Sequence, residues 1–403
     1  MGKQDLRIRF FNTYEPVTSI YRDLLPKLVE SGFVVEVILS GREYRPGRGK
    51  IEDVISSPSI HFRRIPIIGG RRVSPISKVL AAISYMVGAS AISLFGRGVD
   101  INIFLTQPPM FSVLGPVLRL FRRQEYACQL MDIYPDFAVE MGLLRHGSLT
   151  AEWFRRLSRA IWRGAVGVIV IGRCMEDIVR RAGVSRVHVV PNWANEDRIV
   201  PVVPEQNQLR IEHELENEFV VLYSGNMGRA HSFSSILEAA RQLRSIGGLK
   251  FVFIGQGVKR KEVEQAKETN GLKNILILDS QPDEMLRYSQ SLGDVHFISL
   301  RNEFTGLVVP SKTYSAMAAG RPIIYQGSAN GEIARMICDN HIGEVVGIDC
   351  AIDLVQVIMK YFDNRQLMIE DGRRARQLAE GAAGSGVAVD SYVGILKKIC
   401  DGL

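Results

Sequence analysis

Cysteine is scarce and scattered. Cys128, Cys174, Cys338, Cys350 and Cys400 are odd in number and form no Cys-x-x-Cys pair. That excludes a disulfide framework or a zinc knuckle and points to a reducing compartment. Other signatures are missing as well. There is no GxxxxGK[ST] loop, no GxGxxG, no low-complexity tract and no solenoid repeat. The opening MGKQDLRIRFFN has no apolar stretch with a cleavage site, so no signal peptide is expected. No recognition motif for nucleic acid is present despite a pI near 9.1, and nucleic acid is not expected as a partner.

What is present is an uneven charge. Residues 1–200 hold 28 Lys and Arg against 18 Asp and Glu, and the remainder holds 22 against 25. A basic first half and a nearly neutral second half suggest two domains with different partners. The length of 403 residues also suits two domains, at about 150 residues each.

Short apolar, β-rich runs alternate with stretches of helical spacing. In the first half they are LRIRFF (6–11), FVVEVIL (33–39), INIFLT (101–106), EYACQL (125–130) and VGVIVI (166–171). In the second they are FVVLYS (219–224), KFVFIG (250–255), NILIL (274–278), DVHFIS (294–299) and RPIIY (321–325). Runs apolar on both faces belong to parallel strands covered by helices. The fold class is therefore α/β, with two doubly wound Rossmann-like domains. The stretch VHVVPNWANEDRIVPVVPEQNQ (187–208) has three prolines and no period, and reads as the join. The domains are set at 1–195 and 209–385, with a linker at 196–208. A final helix at 386–403 is expected to pack back on the first domain. Residues 79–96 form the most apolar window, but Ser84, Gly88, Ser90 and Ser93 interrupt it. A buried or surface-lying helix is expected there, not a membrane span.

Two loops in the second half carry chemistry. In VLYSGNMGRAHSF (221–233) a strand feeds Gly225 and Gly228 before a helix begins near Ser232. Glycines let backbone N–H groups approach an anion. In EFTGLVVPSKTYSAMAAGRPIIY (303–325), Ser311 and Lys312 open a second helix. Arg229 and Lys312 thus place one basic residue at each loop. The GQG turn at 255–257 follows a third strand, where a base or ribose could pack.

These words together resemble the family 4 glycosyltransferases of GT-B fold, in particular the bacterial branch that builds surface polysaccharides. "YSGNMGRAHSF", "FIGQG", "DVHFISL", "GLVVPSK" and "AMAAGRPII" carry the likeness in the second half; "DIYPD" (132–136) and "VVPNWA" (189–194) carry it in the first. The likeness has departures. The family's two phosphate clamps fall on Asn226 and His231 here. Its second glutamate falls on Ser311 or Ser315. The N-terminal glycine loop of many relatives is NTYEPVTS (12–19).

The resemblance implies two domains facing a cleft and a retaining transfer from a nucleotide-diphosphate sugar, a UDP-sugar for preference. The acceptor would be a polyprenyl-diphosphate-linked saccharide, in exopolysaccharide, O-antigen or capsule assembly. The catalytic candidates are Asp132, Glu303, Lys312 and Arg229. The donor-binding candidates are Gly225, Asn226, Gly228, His231, Gly255, Gln256, Gln281, Phe304, Thr305, Gly306, Leu307 and Ser311. Cations at the leaving diphosphate would lower the barrier. No Asp-x-Asp pair is present, so no metal and no cofactor is expected. His296, inside a strand, reads as structural. Asn192 and Trp193 open the linker, as a hinge or as ligand contacts.

Arginines interleave with apolar residues in FRRIPIIGGRR (62–72), RLFRR (119–123) and RRLSRAIWR (155–163). That pattern suits an anionic membrane surface, at about 1 kcal/mol per basic residue. The expected location is cytoplasmic, peripheral on the inner face of the plasma membrane. Two alternatives stay open: a nucleotide-sugar 2-epimerase of the same fold, and a catalytically inactive GT-B subunit.

Overall fold

The computed structural model describes residues 6–12, 19–41, 51, 54–67 and 75–402. Most of NTYEPVTS (12–19) and the end of FRRIPIIGGRR (62–72) lie outside them. The chain divides into two compact units, 1–191 with 388–403, and 192–387.

Among the described residues the first unit holds seven strands: β1 (Leu6–Asn12), β2 (Phe33–Ser40), β3 (Ile60–Ile65), β4 (Ile101–Leu105), β5 (Glu125–Leu130), β6 (Gly167–Val170) and β7 (Val187–Val189). Their order is β3-β2-β1-β4-β5-β6-β7, and all pairs are parallel. The second unit holds six: β8 (Phe219–Ser224), β9 (Leu249–Ile254), β10 (Ile275–Leu278), β11 (Val295–Ser299), β12 (Ile323–Gln326) and β13 (Gly343–Val346). Their order is β10-β9-β8-β11-β12-β13, again all parallel.

Three strands were not anticipated from sequence, and all three lie at sheet edges. β3 buries only Ile60 and Ile65, at its two ends, and leaves Arg63 and Arg64 between them accessible. β7 has three residues and lies inside the stretch read as the join, so that stretch opens in the first unit's sheet. β13 begins at Gly343, whose φ of 155° brings its Cα against the Ile323 carbonyl. Edge strands are covered less than central ones, so they lack the doubly apolar run that identifies the others.

The central strands show why. In β8, Phe219, Val221 and Tyr223 face a core with Phe233 and Ile236, while Val220 and Leu222 face another with Leu209 and Leu292. Burying each large apolar side chain contributes about 1.5–3 kcal/mol relative to exposure. Asp294, at the start of β11, accepts from the Val220 N–H and the buried Arg210 guanidinium, both at 2.7 Å. Arg210 also donates to the carbonyls of Leu292, Leu215 and Glu218, so this buried pair is fully hydrogen-bonded.

The last helix, Ser385–Asp401, returns to the first unit. Tyr392 donates to Gln129 of β5 at 2.8 Å. Ile399 lies against Gly167 so closely that a Cβ there would fall 2.5 Å from its Cδ1. The helix Pro75–Phe95 buries Tyr85, Ala89 and Ser93 and exposes Val79, Leu80, Ile83, Val87 and Phe95. Among the described residues, no helix is long and apolar enough to cross a membrane.

Candidate active site

In the second sheet the strand order reverses between β8 and β11. Ligands of open parallel sheets bind at the carboxyl ends of strands at such a point. The loop after β8 carries Gly225, Asn226, Gly228, Arg229 and His231. The loop after β11 carries Glu303 to Leu307 and leads to Lys312. The two loops expected to work together therefore leave adjacent strands.

Lys312 is their meeting point. It opens the helix Lys312–Ala318, and its side chain lies over the β8 loop, with Cε 3.4 Å from where a Gly225 Cβ would be. The ammonium donates to the Tyr223 hydroxyl at 2.6 Å and stands 3.2 Å from His231 Nε2. The Tyr223 hydroxyl in turn donates to the Asn226 carbonyl at 2.7 Å. The His231 tautomer follows from the remaining contact. Nδ1 lies 2.5 Å from the Ser299 carbonyl, which can only accept, so Nδ1 carries the proton. Nε2 is then a lone pair that receives from Lys312. Burial, reinforced by the Lys312 ammonium, holds His231 down to about 3, so it stays neutral. Burial pulls Lys312 down to about 7. An ammonium has three N–H bonds; two are used here, and the third is left for a ligand.

The glycine loop offers fewer amides than its sequence suggests. Gly225 N–H donates to Ile254 O at 2.9 Å and Met227 N–H to Gln256 O at 2.8 Å. Ser232 N–H donates to the Ser299 hydroxyl at 3.0 Å. The amides of Asn226 and Gly228 have no partner among the described residues and remain for an anion. Arg229 is exposed on the turn between them and His231.

On the β11 loop, Glu303 is accessible, and Arg301 donates to it at 2.9 Å. Its own backbone N–H and that arginine hold its carboxyl below the usual range. Phe304 is fully buried, so its ring belongs to the core and not to a ligand surface. Leu307 is buried as well. Gly306 takes a φ of 78°, which favours glycine. The Thr305 hydroxyl is shielded from solvent and has no hydrogen-bond partner among the described residues. Ser311 is exposed and makes no side-chain cap to the helix that follows.

Gln256 and Gln281 meet at a third place, the ends of β9 and β10. Gln256 donates to the Asp279 carboxylate at 2.7 Å and Gln281 to the Asp279 carbonyl at 3.0 Å. Arg260 joins them, donating to Asp279 at 2.7 Å and to the Gly255 carbonyl at 2.8 Å. His296 is buried and bonded to the Gln290 carbonyl at 2.8 Å. Asn192 and Trp193 are both buried.

Asp132 belongs to the first unit, just past β5. The Thr106 hydroxyl accepts from the Met131 and Asp132 N–H groups at 2.8 and 3.3 Å, fixing that turn. Among the described residues the Asp132 carboxylate has no ion-pair or hydrogen-bond partner, and burial raises it to about 6. It lines a small cavity with Met110, Ser158 and Trp162. An unpaired carboxylate titrating near neutrality is suited to accept a proton from a hydroxyl.

Tyr223, Ser299 and Arg301 were missed in the sequence. Tyr223 sits in an apolar run and reads as core. Ser299 acts through its carbonyl, and a carbonyl leaves no mark in a sequence.

Comparison with known proteins fits this arrangement. The model of the group 1 glycosyl transferases matches residues 205–380. The glycosyl transferase 4-like domain matches residues 17–193. The chain is a glycosyltransferase. Its two parallel-sheet units are those of the GT-B class. WbjE of Pseudomonas aeruginosa, named a probable glycosyltransferase, is 27% identical over 293 residues, 72% of this chain and 73% of its own. WcaI of Escherichia coli (strain K12), named for colanic acid biosynthesis, is 25% identical over 275 residues, 66% and 67% of the two chains. The glycosyltransferase also shares its fold with Anabaena HepE, solved with UDP-glucose. The TM-score is 0.74 at 14% identity, covering 98% of this chain and 100% of that one.

Proposed function

We propose that the glycosyltransferase moves a sugar, with retention at the anomeric carbon, from a UDP-sugar to a polyprenyl-diphosphate-linked saccharide in surface-polysaccharide assembly. The Lys312 node is the observation that carries this reading. Its remaining N–H, the amides of Asn226 and Gly228, and exposed Arg229 offer donors to a diphosphate. Negative charge grows on that diphosphate as the sugar leaves, so donors already held in place lower the barrier. The protein's own cations supply this without a metal. Glu303 and the Thr305–Gly306 turn are the candidate contacts for the sugar's hydroxyls. Gln256 and Gln281, gathered around Asp279, are candidates for the nucleoside. Asp132 is the candidate group for the acceptor hydroxyl.

The relatives' names support the polysaccharide setting, and HepE with UDP-glucose supports the uridine donor. Peripheral membrane association draws support from exposed apolar side chains beside arginines. Leu120 and Phe121 adjoin Arg119, Arg122 and Arg123, and Leu149 and Trp153 precede Arg155 and Arg156. The epimerase alternative needs mobile proton carriers. His231 is locked as a neutral acceptor and His296 is buried, so neither supports it.

A donor screen in excess EDTA, measuring nucleotide release with and without a polyprenyl-diphosphate sugar, tests the proposal. Release of UDP that rises with acceptor, and a product anomer matching the donor's, are expected. No release from any nucleotide sugar would leave an inactive GT-B subunit as the reading.

A further inference from the structure

We propose that a pocket in the first unit, between the helices Leu149–Gly164 and Arg173–Arg181, binds the diphosphate group of the acceptor through Arg155, Arg159 and Arg181. This rests on the acceptor reading above. The pocket measures about 230 Å³. That is below the roughly 300–1,000 Å³ of sites for drug-sized ligands, so it suits a compact group and not a saccharide chain.

Its charge is unbalanced. Three arginines line it and one carboxylate, Asp136, faces them. Arg155 is already committed, to Asp136 at 2.6 Å and to Glu152 at 3.5 Å. Arg159 and Arg181 have no hydrogen-bond or ion-pair partner among the described residues. Two uncommitted guanidiniums on one small pocket repel each other, and a bound dianion would relieve that. Each guanidinium can bind phosphate oxygens through a planar fork. Much of the remaining wall is apolar: Trp162, 6% exposed, and Ile178 both line it. Low-dielectric walls strengthen a charged contact. They also give an alkyl chain leaving the diphosphate something to cover.

The position argues for the acceptor. Tyr134, Ser158 and Trp162 line both this pocket and the small cavity that holds Asp132. A diphosphate seated among the arginines would thus lie one side chain away from the carboxylate assigned to the acceptor hydroxyl. A single acceptor sugar could join the two, with its anomeric phosphate at the arginines and a hydroxyl at Asp132.

Titration calorimetry on the full chain tests this, with inorganic diphosphate and geranyl diphosphate as probes and UDP present to occupy the donor loops. The readout is the difference between the wild type and an Arg159→Gln/Arg181→Gln double variant. Both residues are exposed, so the variant should fold. Arg244→Gln/Lys273→Gln, which removes the same charge from exposed positions in the second unit, is the control. The double variant should lose roughly tenfold or more in affinity, and the control should not. Tighter binding of the prenyl ester would assign the site to lipid-linked diphosphate, and equal binding to the anion alone; either result supports the pocket. Equal affinity in the wild type and the double variant, or equal losses in the double variant and the control, would overturn it. The titrations need no turnover. A chain that releases no nucleotide yet loses diphosphate binding in the variant keeps the pocket and loses the transferase reading. A chain that transfers sugar while the variant binds normally does the reverse.

Discussion

Gly255 lies against Gly225 so tightly that a Cβ on Gly255 would fall 2.1 Å from the Gly225 carbonyl oxygen. Gly255 also holds a φ of 138°, which few other residues adopt. The GQG turn is therefore first a prop for the β8 loop: Gly225 and Met227 both donate their amides to it or to the strand before it. Gly255→Ala should displace the β8 loop. We expect UDP affinity to fall by roughly tenfold or more, with stability lower by about 1–3 kcal/mol. Calorimetric UDP titration and urea melts check both, and normal UDP binding would detach the prop from the site.

Lys312→Met should lower turnover more than it weakens donor binding. Methionine keeps most of the volume, so the change removes charge and donors with little loss of packing. Charge on the leaving diphosphate is larger in the transition state than in the ground state, so the contact matters more there. Loss of one such donor costs about 3 kcal/mol, on the order of a hundredfold in kcat. Steady-state kinetics with the donor varied decides it, and near-normal kcat would remove Lys312 from the mechanism.

Donor affinity should depend on pH through the same residue. In the free protein, burial holds Lys312 down to about 7, and it is partly neutral at physiological pH. A bound diphosphate favours the ammonium and raises that value. Binding then takes up a proton above pH 7, and affinity for UDP should weaken as pH rises from 7 to 9. Titrations in buffers of different ionisation enthalpy would report the uptake. His231, held down to about 3, adds nothing in that window. A flat profile in Lys312→Met would assign the slope to this residue.

Much of this was legible beforehand, for a physical reason. The central strands are covered on both faces, so β1, β2, β4 to β6, β8, β9, β11 and β12 read as apolar runs, and the edge strand β10 was legible with them because ILIL is apolar throughout. Lys312 stood out because a cation after Pro310-Ser311 breaks an apolar stretch. The other three edge strands, β3, β7 and β13, were hidden because they are less covered and carry no unbroken apolar run. Tyr223 was hidden because its ring is core while only its hydroxyl reaches Lys312. Phe304 misled for the opposite reason: it adjoins Glu303 in sequence, but its side chain turns inward. Arg159 and Arg181 are far apart in the chain, and only the packing of two helices brings them to one pocket.

Asp132→Asn should separate activity from stability. Burial raises the folded carboxyl to about 6, above its ordinary 3.8. The protonated form therefore favours the fold, and that contribution is fully present below about pH 4 and lost as pH rises through 6. Asparagine carries no charge to bury. The variant should be more stable than the wild type at pH 8, by about 3 kcal/mol, and equal to it near pH 4. Its transfer rate should fall by on the order of a hundredfold or more, as for loss of a general base. Thermal melts across pH and transfer assays check the two halves separately, and equal stability at pH 8 would mean that the carboxylate is well solvated.

The helix Ser385–Asp401 belongs to the first unit although the whole second unit separates it in the chain from the rest of that unit. Tyr392 caps Gln129 from it, and Ile399 fills the space over Gly167. The second unit is continuous in sequence and is complete before this helix emerges from the ribosome. On the ribosome, then, the unit that begins first is completed second: the places on β5 and β6 that this helix covers wait until residues 385–401 have been made. A stop codon near residue 384 would remove the buried Tyr392 and Leu396 from the first unit's core. It would strand the first unit in that waiting state, with a finished second unit attached to it.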